Sequence, residues 1–267
     1  MTEMNTLLEL ENVSKTFDLG KGRKLEAVKN VSFSIPVGRN MGIVGESGCG
    51  KSTIARMITG LTSVTEGEIR LLGKPVSSLK RKEQREAYRH VQMVFQDPYS
   101  AVSPRMSICT FLTEGLVHFK IMSRPQAEQE AGKLMRMVDL DPSLLDRLPH
   151  ELSGGQLQRV VIARAISIHP ELVILDEATS ALDVSVQKQI LSLLVKLQEQ
   201  FHLTYLFIGH DLAVVRSITD EICVMKDGEM VEKVPSQELT TQAVHPYTKS
   251  LLSAVFSVKD IAASPIM

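Results

Sequence analysis

The sequence predicts an α/β protein built around a parallel sheet, and three observations carry this prediction. Short apolar runs, each ending in a polar or glycine residue, recur as "MGIVG", "VQMVFQD", "ELVILDE" and "TYLFIGHD". Helical apolar patterns separate them. A glycine-rich loop follows the first run and leads into a helical pattern. Strands of this kind are buried on both faces, and the ligands of such sheets lie at the carboxyl ends of the strands.

Composition limits the size of the core and the kind of partner. Of the 267 residues, 43% are hydrophobic, which suffices for one elaborated domain or two closely joined lobes. The 30 Lys and Arg against 31 Asp and Glu give a net charge of -1. Bulk electrostatic attraction to nucleic acid or to an anionic membrane is therefore not expected.

The cysteines and the amino terminus indicate a reducing compartment. Cys49, Cys109 and Cys223 lie far apart without a CxxC pair, so neither a disulfide framework nor a thiolate metal site is expected. The start "MTEMNTLLELENVSK" carries acidic residues where a signal peptide needs a basic, then apolar, run. No apolar stretch is long enough to cross a bilayer. We expect a chain that is soluble by itself and can dock on a membrane protein.

Smaller patterns place the remaining elements. "VSFSI" alternates strictly and, with "LLELENV" upstream, predicts a half-buried antiparallel sheet at the amino terminus. The segment from about Pro98 to Pro149 has helix signals but no convincing strand, which favours an inserted helical lobe. Three helical stripes are expected: Ala131, Leu134, Met135 and Val138; Leu157, Val160, Val161, Ala165 and Ile168; and Val186, Ile190, Leu193, Leu194 and Leu197.

The stretch "GESGCGKST", residues 45–53, fits the phosphate-loop pattern G-x-x-x-x-G-K-[ST] between a strand and a helix. Glycines let the backbone curl so that N–H groups and a helix N-terminus face phosphate. Lys51 adds a charge for the β/γ oxygens, and the Ser52 hydroxyl can bind Mg²⁺. An ordinary glycine-rich turn is the alternative. The candidate nucleotide site comprises Gly45, Glu46, Ser47, Gly48, Cys49, Gly50, Lys51, Ser52 and Thr53.

A second candidate stretch is "LVILDEATSALD", an apolar strand that ends in adjacent carboxylates. Charges at the end of a buried strand need cationic partners. Asp176 is a candidate for holding the hydration shell of Mg²⁺, and Glu177 for acting as general base toward water. The alternative is a carboxylate that merely caps the next helix.

The ordered set "GESGCGKST", "VFQDP", "LSGGQ", "LVILDE", "SALD" and "FIGHD" resembles the ATP-binding cassette (ABC) family of ATPases, from about Leu7 to Glu238. The resemblance implies a phosphate-loop NTPase cassette with a RecA-like core, an N-terminal antiparallel β-subdomain and an inserted helical subdomain. It places the core in residues 1–97 and 150–244, the helical subdomain in 98–149 and a C-terminal tail in 245–267.

The same resemblance explains the second glycine-rich stretch, "ELSGGQLQRVVIARA", which lacks a lysine. Two cassettes are expected to dimerise head to tail, with Ser153, Gly154, Gly155 and Gln156 of one facing the γ-phosphate held at Lys51 of the other. A hydroxyl, close backbone and a helix starting near residue 156 can form an anion site. A serine N-cap before a helix is the alternative.

Further roles follow from the resemblance. Gln96 is expected to touch Mg²⁺ and the attacking water, and His210 the γ-phosphate, although a solvated histidine is the alternative. Asp183 is expected to help organise the dimer seam, and Phe17 is expected to stack on the adenine. Gly209 stands where serine is commoner and is expected to loosen the turn before His210 without abolishing activity. The expected cofactors are ATP and Mg²⁺. The catalytic set is Glu177, His210, Gln96 and Lys51, and the metal set is Ser52, Gln96 and Asp176.

Three features resemble the dipeptide, oligopeptide and nickel importers of bacteria: "VFQDPYSAVSPRMS", "LPHELSGGQLQR" and "HPYTKSLLSAV". Some relatives hold an iron–sulfur cluster in the tail, but no cysteine follows Cys223, so none is expected. Leu157 is a hint toward nickel. "HPYTKSLLSAVF" is either a closing helix on its own domain or a partner-binding segment.

The expected function is the ATP-hydrolysing subunit of a bacterial importer for nickel or for di- and oligopeptides, peripheral on the cytoplasmic face of the inner membrane. Its expected partners are two membrane permeases, a sister cassette or a second copy, and indirectly an extracytoplasmic solute-binding protein, but no nucleic acid. A soluble ABC ATPase acting on nucleic acid or ribosomes would show fused cassettes, a heptad insertion or a basic stripe. An idle regulatory cassette is disfavoured by the intact catalytic set.

Overall fold

The computed structural model describes residues 6–76, 79, 81–180 and 182–255. Its strands are β1 (Thr6–Asp18), β2 (Lys24–Pro36), β3 (Met41–Val44), β4 (Glu66–Leu71), β5 (Lys74–Pro75), β6 (Val91–Val94), β7 (Leu172–Asp176), β8 (Thr204–Gly209), β9 (Glu221–Lys226) and β10 (Glu229–Pro235). Its helices are α1 (Lys51–Ile58), α2 (Arg81–His90), α3 (Pro98–Ala101), α4 (Ile108–His118), α5 (Arg124–Met137), α6 (Gly154–Ile166), α7 (Val184–Phe201), α8 (Leu212–Ile218), α9 (Leu239–Gln242) and α10 (Pro246–Val255). Short 3₁₀ turns cover Pro142–Leu144, Pro149–Glu151 and Ser236–Glu238.

The chain divides into two compact units. The first is formed from residues up to 79 and from 205 onward, and the second from residues 80–204. Among the described residues, no helix is long and apolar enough to cross a membrane.

The amino-terminal part of the first unit is an antiparallel sheet in the order β2-β1-β4-β5. In β2 the side chains of Val31, Phe33 and Ile35 are buried, whereas Ser32 and Ser34 between them are exposed. A strand with period-two burial covers a core on one face only. The predicted half-buried antiparallel sheet is therefore confirmed.

A second set of strands in the first unit runs in the order β10-β9-β3-β8. β3 pairs in parallel with β8 and with β9, and all four of its residues are buried. β10 returns antiparallel to β9. The sequence reasoning anticipated β3 and β8 as buried parallel strands but did not anticipate β9 or β10.

The second unit contains the parallel pair β6 and β7. All five residues of β7 are buried, as expected for a strand covered on both faces. β6 stands last in the strand order, and its central residues Gln92 and Met93 are only half-buried, so the expectation of full burial is wrong for this strand. Of the described residues between β6 and β7, none forms a strand, in agreement with a helical segment.

The three predicted helical stripes lie on α5, α6 and α7, and most of their side chains are buried. Every member of the first two stripes is buried. The first stripe lies on α5 and ends at Val138, just after the helix, and the second lies on α6 and ends at Ile168, in the turn that follows. On α7 the stripe is buried from Ile190 onward, whereas Val186 near the helix start is half-buried. Apolar burial at this spacing holds each helix against its unit.

Candidate functional site

The phosphate loop leaves the sheet of the first unit at the carboxyl end of β3. Val44, the last residue of β3, pairs with Gly209 on β8 and with Val224 on β9. The residues that follow β3 and β8, Gly45 and His210, therefore begin side by side at one edge. His210 is exposed there. The structure thus brings the predicted histidine to the same sheet edge as the phosphate loop.

Gly209 lies in the strand, directly before the bend at His210, and its expected loosening of that turn without loss of activity stays a prediction. It is the last residue of β8 and keeps parallel register with Val44. A Cβ atom at this position would lie 3.1 Å from Cγ2 of Val215 on α8. Glycine therefore permits α8 to approach the strand end closely.

The curl of the phosphate loop requires glycine at residue 50. Its φ of 107° lies in the left-handed region, and a Cβ atom there would overlap the main-chain oxygen of Ala27. Gly50 is also the residue before α1, so the loop delivers the chain directly into a helix N-terminus. Curled backbone followed by a helix start presents N–H groups to an anion.

The Lys51 ammonium lies within this loop. The side chain is 4% exposed, and Nζ donates hydrogen bonds of 2.8 Å to the main-chain oxygens of Gly45 and of Glu46. Because a buried cation surrounded by loop backbone favours an anionic ligand, the residues present fit the polyphosphate of a nucleotide. Ser52 and Thr53, in the first turn of α1, are half-buried.

Cys49 takes part in the loop through its backbone. Its main-chain oxygen accepts a hydrogen bond of 3.1 Å from the N–H of Gly228, which ties the loop to the β9–β10 turn. Burial raises the pKa of its thiol, and the charge of Lys51 opposes that shift only in part. The sulfur is therefore a neutral thiol at neutral pH.

Phe17 lies at the end of β1, half-buried, beside a lysine. Nζ of Lys15 stands 5.0 Å from the centre of the Phe17 ring and donates to Oγ of Ser63 at 3.3 Å. The lysine adds a cation–π contact that fixes the ring orientation. Its contact with adenine stays a prediction.

In the second unit, the paired carboxylates stand at the end of β7. Asp176 is 7% exposed and Glu177 is half-buried. Glu177 has a φ of 50°, a left-handed conformation that is uncommon for a residue other than glycine. Its main-chain oxygen accepts hydrogen bonds from the N–H and the hydroxyl of Ser180, at 3.0 and 2.9 Å. The chain thus turns sharply at Glu177, the predicted base. Residues with such strained backbone angles are often found at active sites.

Gln96 is brought to the same sheet edge as Asp176. Val94, the last residue of β6, pairs with Leu175 on β7, so both polar residues follow neighbouring strand ends. Gln96 is exposed. The next residue, Asp97, caps α3 by accepting the N–H of Tyr99 at 3.0 Å. The two predicted metal ligands of this unit are therefore neighbours along one edge.

The second glycine-rich stretch forms a capped helix start. Oγ of Ser153 accepts the N–H of Gln156 at 3.3 Å, and Oε1 of Gln156 accepts the N–H of Ser153 at 2.9 Å. The helix begins at Gly154, so the expected start near Gln156 is wrong by two residues. The serine hydroxyl accepts in this cap and keeps its own proton for donation. Helix capping and anion binding are therefore compatible roles for Ser153.

The two glycines of this stretch differ in their surroundings. A Cβ atom at Gly155 would lie 2.7 Å from Cγ1 of Val186 on α7, which is closer than packing allows. A Cβ atom at Gly154 would meet no atom within 4 Å. Packing therefore requires glycine at 155 and leaves the glycine at 154 without a structural reason within its unit.

Asp183 caps α7. Its carboxylate accepts the N–H groups of Ser185 and Val186, at 3.0 and 2.9 Å, and the Ser185 hydroxyl at 2.8 Å. The hydrogen bond from the Val186 backbone, followed by that from the Ser185 hydroxyl, holds the pKa of Asp183 below its usual range. Its place at a dimer seam stays a prediction. Ala181 of "SALD" lies outside the described residues.

One contact of the phosphate loop was missed by the sequence reasoning. The hydroxyl of Tyr247, on α10, accepts the N–H of Glu46 at 3.0 Å. The motif "HPYT" had marked this tyrosine as part of a tail, but a contact across 201 residues leaves no periodic signal. α10 buries Tyr247 and Thr248 within its own unit, as the closing-helix alternative expects. Residues 256–267 of the tail lie outside the described residues.

A glycine-rich loop between a parallel strand and a helix, with a lysine buried inside it, defines the class of phosphate-loop nucleoside triphosphatases. The model of the family described as "ABC transporter" matches residues 28–180, which include the loop, both carboxylates and the capped glycine helix. The chain belongs to the ABC transporter family and is an ATP-binding ATP hydrolase.

Relatives agree across nearly the whole chain. It is 46% identical over 264 residues to the oligopeptide transport ATP-binding protein AppF of Bacillus subtilis, covering 96% of this chain and 80% of that protein. It is 39% identical to the di/tripeptide transport ATP-binding protein DppF of Pseudomonas aeruginosa, covering 98% and 83%. The structure of the ATP-binding cassette MJ0796, dimeric and bound to ADP and Pi, matches with a TM-score of 0.78 at 32% identity, covering 86% of this chain and 99% of that one.

Proposed function

We propose that this chain is the ATP-hydrolysing cassette of a bacterial peptide importer, and that it works as one of a pair on two membrane permeases. The observation that carries the cargo class is its 46% identity to an oligopeptide transport ATP-binding protein over 96% of its length. Nickel, the other expected cargo, is favoured over peptide only by Leu157, because the three importer-like segments fit both cargoes. That side chain is fully buried in α6, where packing accounts for it.

In this function the phosphate loop binds the nucleotide. ATP supplies the γ-phosphoryl group that is transferred to water. Backbone N–H groups of residues 45–53 and the N-terminus of α1 hold the β-phosphate. The ammonium of Lys51, which donates to two main-chain oxygens of the loop, exchanges at least one of these bonds for phosphate oxygens. Phe17 stacks on the adenine.

Mg²⁺ is proposed as the companion ion. It would neutralise charge on the phosphates. In the first unit the hydroxyl of Ser52 is the candidate ligand. In the second unit Gln96 and Asp176 are the candidates, supported by their position at the ends of the neighbouring strands β6 and β7. A side-chain amide oxygen, a carboxylate and a hydroxyl are the oxygen donors that this hard cation prefers.

Glu177 is the proposed general base, and His210 the proposed γ-phosphate contact. The left-handed backbone at Glu177 turns the chain sharply after β7. A carboxylate beside bound water can remove its proton as the water attacks phosphorus. His210 extends from the end of β8 and can donate a ring N–H to an equatorial oxygen.

The serine-capped start of α6 is proposed to serve the nucleotide of the other cassette. The Ser153 hydroxyl, Gly154 and Gly155 and the positive end of the helix form an anion site without a lysine. The dimeric state of the solved relative MJ0796 supports such a pair. Gln156 fixes the serine, and Asp183 fixes the start of α7 near the seam. ATP binding would then favour closure, and product release would reset it.

The helical segment 98–149 is proposed to contact the permeases. A cavity of about 220 Å³ in the second unit supports this role. Phe111, Glu114 and Arg164 are among its lining residues. The Arg164 guanidinium lies 5.0 Å from the centre of the Phe111 ring and 3.3 Å from Oε2 of Glu114. A mixed apolar and charged cavity of this kind suits a short amphipathic helix of a membrane subunit.

The test of this function is uptake of a labelled dipeptide and of labelled nickel in cells lacking the chain. We expect dipeptide uptake to fail, to return with the wild type, and to stay absent with Glu177→Gln. Loss of nickel uptake alone would overturn the peptide assignment and retain the importer. Unchanged uptake of both would contradict a role in importing either cargo.

A further inference from the structure

The carboxyl-terminal helix α10 reaches the phosphate loop, which lies near the other end of the chain. The Tyr247 hydroxyl accepts the N–H of Glu46 at 3.0 Å, and both residues belong to the first unit. The tyrosine is 8% exposed. A loop whose N–H groups serve phosphate therefore has one N–H committed to a side chain from a distant part of the sequence.

The tyrosine is held in place by its neighbours. The main-chain N–H of Tyr247 donates to Nδ1 of His245 at 3.2 Å, which caps the start of α10. The N–H groups of Val244 and His245 donate to Oε1 of Glu232 on β10, at 2.7 and 3.2 Å. Nζ of Lys226 lies 5.1 Å from the centre of the tyrosine ring. The hydroxyl therefore has a fixed position relative to the sheet.

A single peptide group connects this tyrosine to the phosphate-binding lysine. The N–H of Glu46 and the carbonyl of Gly45 belong to the same planar peptide. The N–H donates to Tyr247, and the carbonyl accepts Nζ of Lys51 at 2.8 Å. Hydrogen bonds in such a chain polarise one another, and rotation of the peptide would break both. The orientation of this peptide decides whether the lysine keeps the Gly45 carbonyl, which is one of its two main-chain acceptors.

We propose that Tyr247 is a positioning residue for ATP binding, which fixes the Gly45–Glu46 peptide so that Lys51 stays aligned within the phosphate loop. The inference rests on the proposed nucleotide site at this loop. Burial raises the pKa of the Tyr247 hydroxyl, so it remains a neutral acceptor beside an anionic ligand. The "HPYT" segment thereby contributes to the nucleotide site as well as to packing.

The test is Tyr247→Phe in the full chain, because phenylalanine keeps the ring and removes only the acceptor. We expect the dissociation constant for a fluorescent ATP analogue, and the KM for ATP, to rise by about 3- to 10-fold, the range for one hydrogen bond. The kcat should change less than about twofold, since the tyrosine touches no reacting atom. The melting temperature should stay close to that of the wild type.

Tyr88→Phe, on α2 of the second unit, is the matched control and should leave the KM unchanged. Glu232→Ala, which removes the acceptor for the start of α10, should raise the KM in the same direction as Tyr247→Phe. A Tyr247→Phe chain with wild-type affinity overturns the inference. So does a chain whose affinity falls only together with its melting temperature. A wild-type chain that binds no ATP would instead contradict the nucleotide site itself.

Discussion

Glu177 and Lys51 have different proposed tasks, and their contacts in the structure differ accordingly. Lys51 is buried and donates to two main-chain oxygens of the phosphate loop, which supports its proposed role in binding the nucleotide. Glu177 is half-buried at a sharp turn after β7, and its carboxylate is suited to proton removal. Replacing Lys51 should therefore lower the affinity for ATP, and replacing Glu177 should lower the rate of hydrolysis.

Glu177→Gln should lower ATP hydrolysis at least about 100-fold, a barrier increase of about 2.7 kcal/mol, while ATP binding persists. The amide keeps the shape of the side chain but cannot accept the proton of the attacking water. Steady-state release of phosphate and equilibrium binding of ATP, measured on the purified variant, check this.

Glu199→Gln, which removes an exposed carboxylate from α7, is the matched control and should hydrolyse ATP at the wild-type rate. Retained turnover in Glu177→Gln would reject this residue as the base.

At the level of single residues, the sequence was informative wherever chemistry imposes a local spacing. The phosphate loop and the paired carboxylates could be assigned to their strand ends because each motif is contiguous. Tyr247 could not be assigned to the loop, because its contact with Glu46 depends on how Glu232 of β10 holds the chain just before α10.

At the level of elements, the two adjacent glycines at the start of α6 differ in whether packing requires them. Both glycines lie in the first turn of the helix, after the Ser153 cap. Val186 on α7 excludes a Cβ atom at Gly155, whereas the space around Gly154 is open. Two neighbouring residues of one motif are therefore constrained by different causes.

Gly155→Ala should destabilise the fold by about 1 to 3 kcal/mol, because α6 and α7 must separate to admit the methyl group. Gly154→Ala should be neutral or stabilising by up to about 1 kcal/mol, since alanine favours the helix. Urea unfolding of both variants measures the difference.

The rate of ATP hydrolysis by the Gly154→Ala chain then tests whether Gly154 is required for function rather than for packing. We expect it to fall although the fold is intact, because the methyl group occupies the approach to the nucleotide of the other cassette. Wild-type hydrolysis in a well-folded Gly154→Ala chain would contradict that role.

Element types were predictable where apolar periodicity is long, as on α5 and α7. The start of α6 was misjudged by two residues because glycines have low helix propensity, and the reciprocal bonds of Ser153 and Gln156 offset it. β10 was missed because Glu232 and Lys233 interrupt its apolar residues. β9 has a continuous apolar run of four residues that the sequence reasoning overlooked, and its pairing with β3 makes it a core strand.

At the level of the whole molecule, the candidate site is incomplete in one cassette if Ser153 serves the nucleotide of the other. Symmetric pairing of the proposed kind would place each capped helix against the partner's phosphate loop, so that one pair would have two shared sites. A change in the loop of one chain and a change in the capped helix of the other chain would then fall in the same shared site and leave the second site of the pair intact.

Lys51→Ala and Ser153→Ala should each abolish most ATP hydrolysis alone, but an equal mixture should recover up to about a quarter of it. Half of random pairs are mixed, and each mixed pair retains one intact site of two. Phosphate release across mixing ratios measures this; for a pairing with a sister cassette, the two changes are divided between the two proteins.

The control is a mixture of two Lys51→Ala chains that carry different tags, which should recover no ATP hydrolysis. Activity of the Ser153→Ala chain equal to that of the wild type would contradict the shared site.

The contact between Tyr247 and Glu46 also has a consequence for synthesis on the ribosome. The phosphate loop is among the early segments to be translated, yet β8 and β9, which flank β3, and the tyrosine behind the loop follow much later, the tyrosine 201 residues after its partner. Domains tend to fold as their segments emerge. A nascent or prematurely terminated chain that lacks α10 therefore lacks the acceptor for the N–H of Glu46, so its phosphate loop gains this contact only when synthesis is nearly finished.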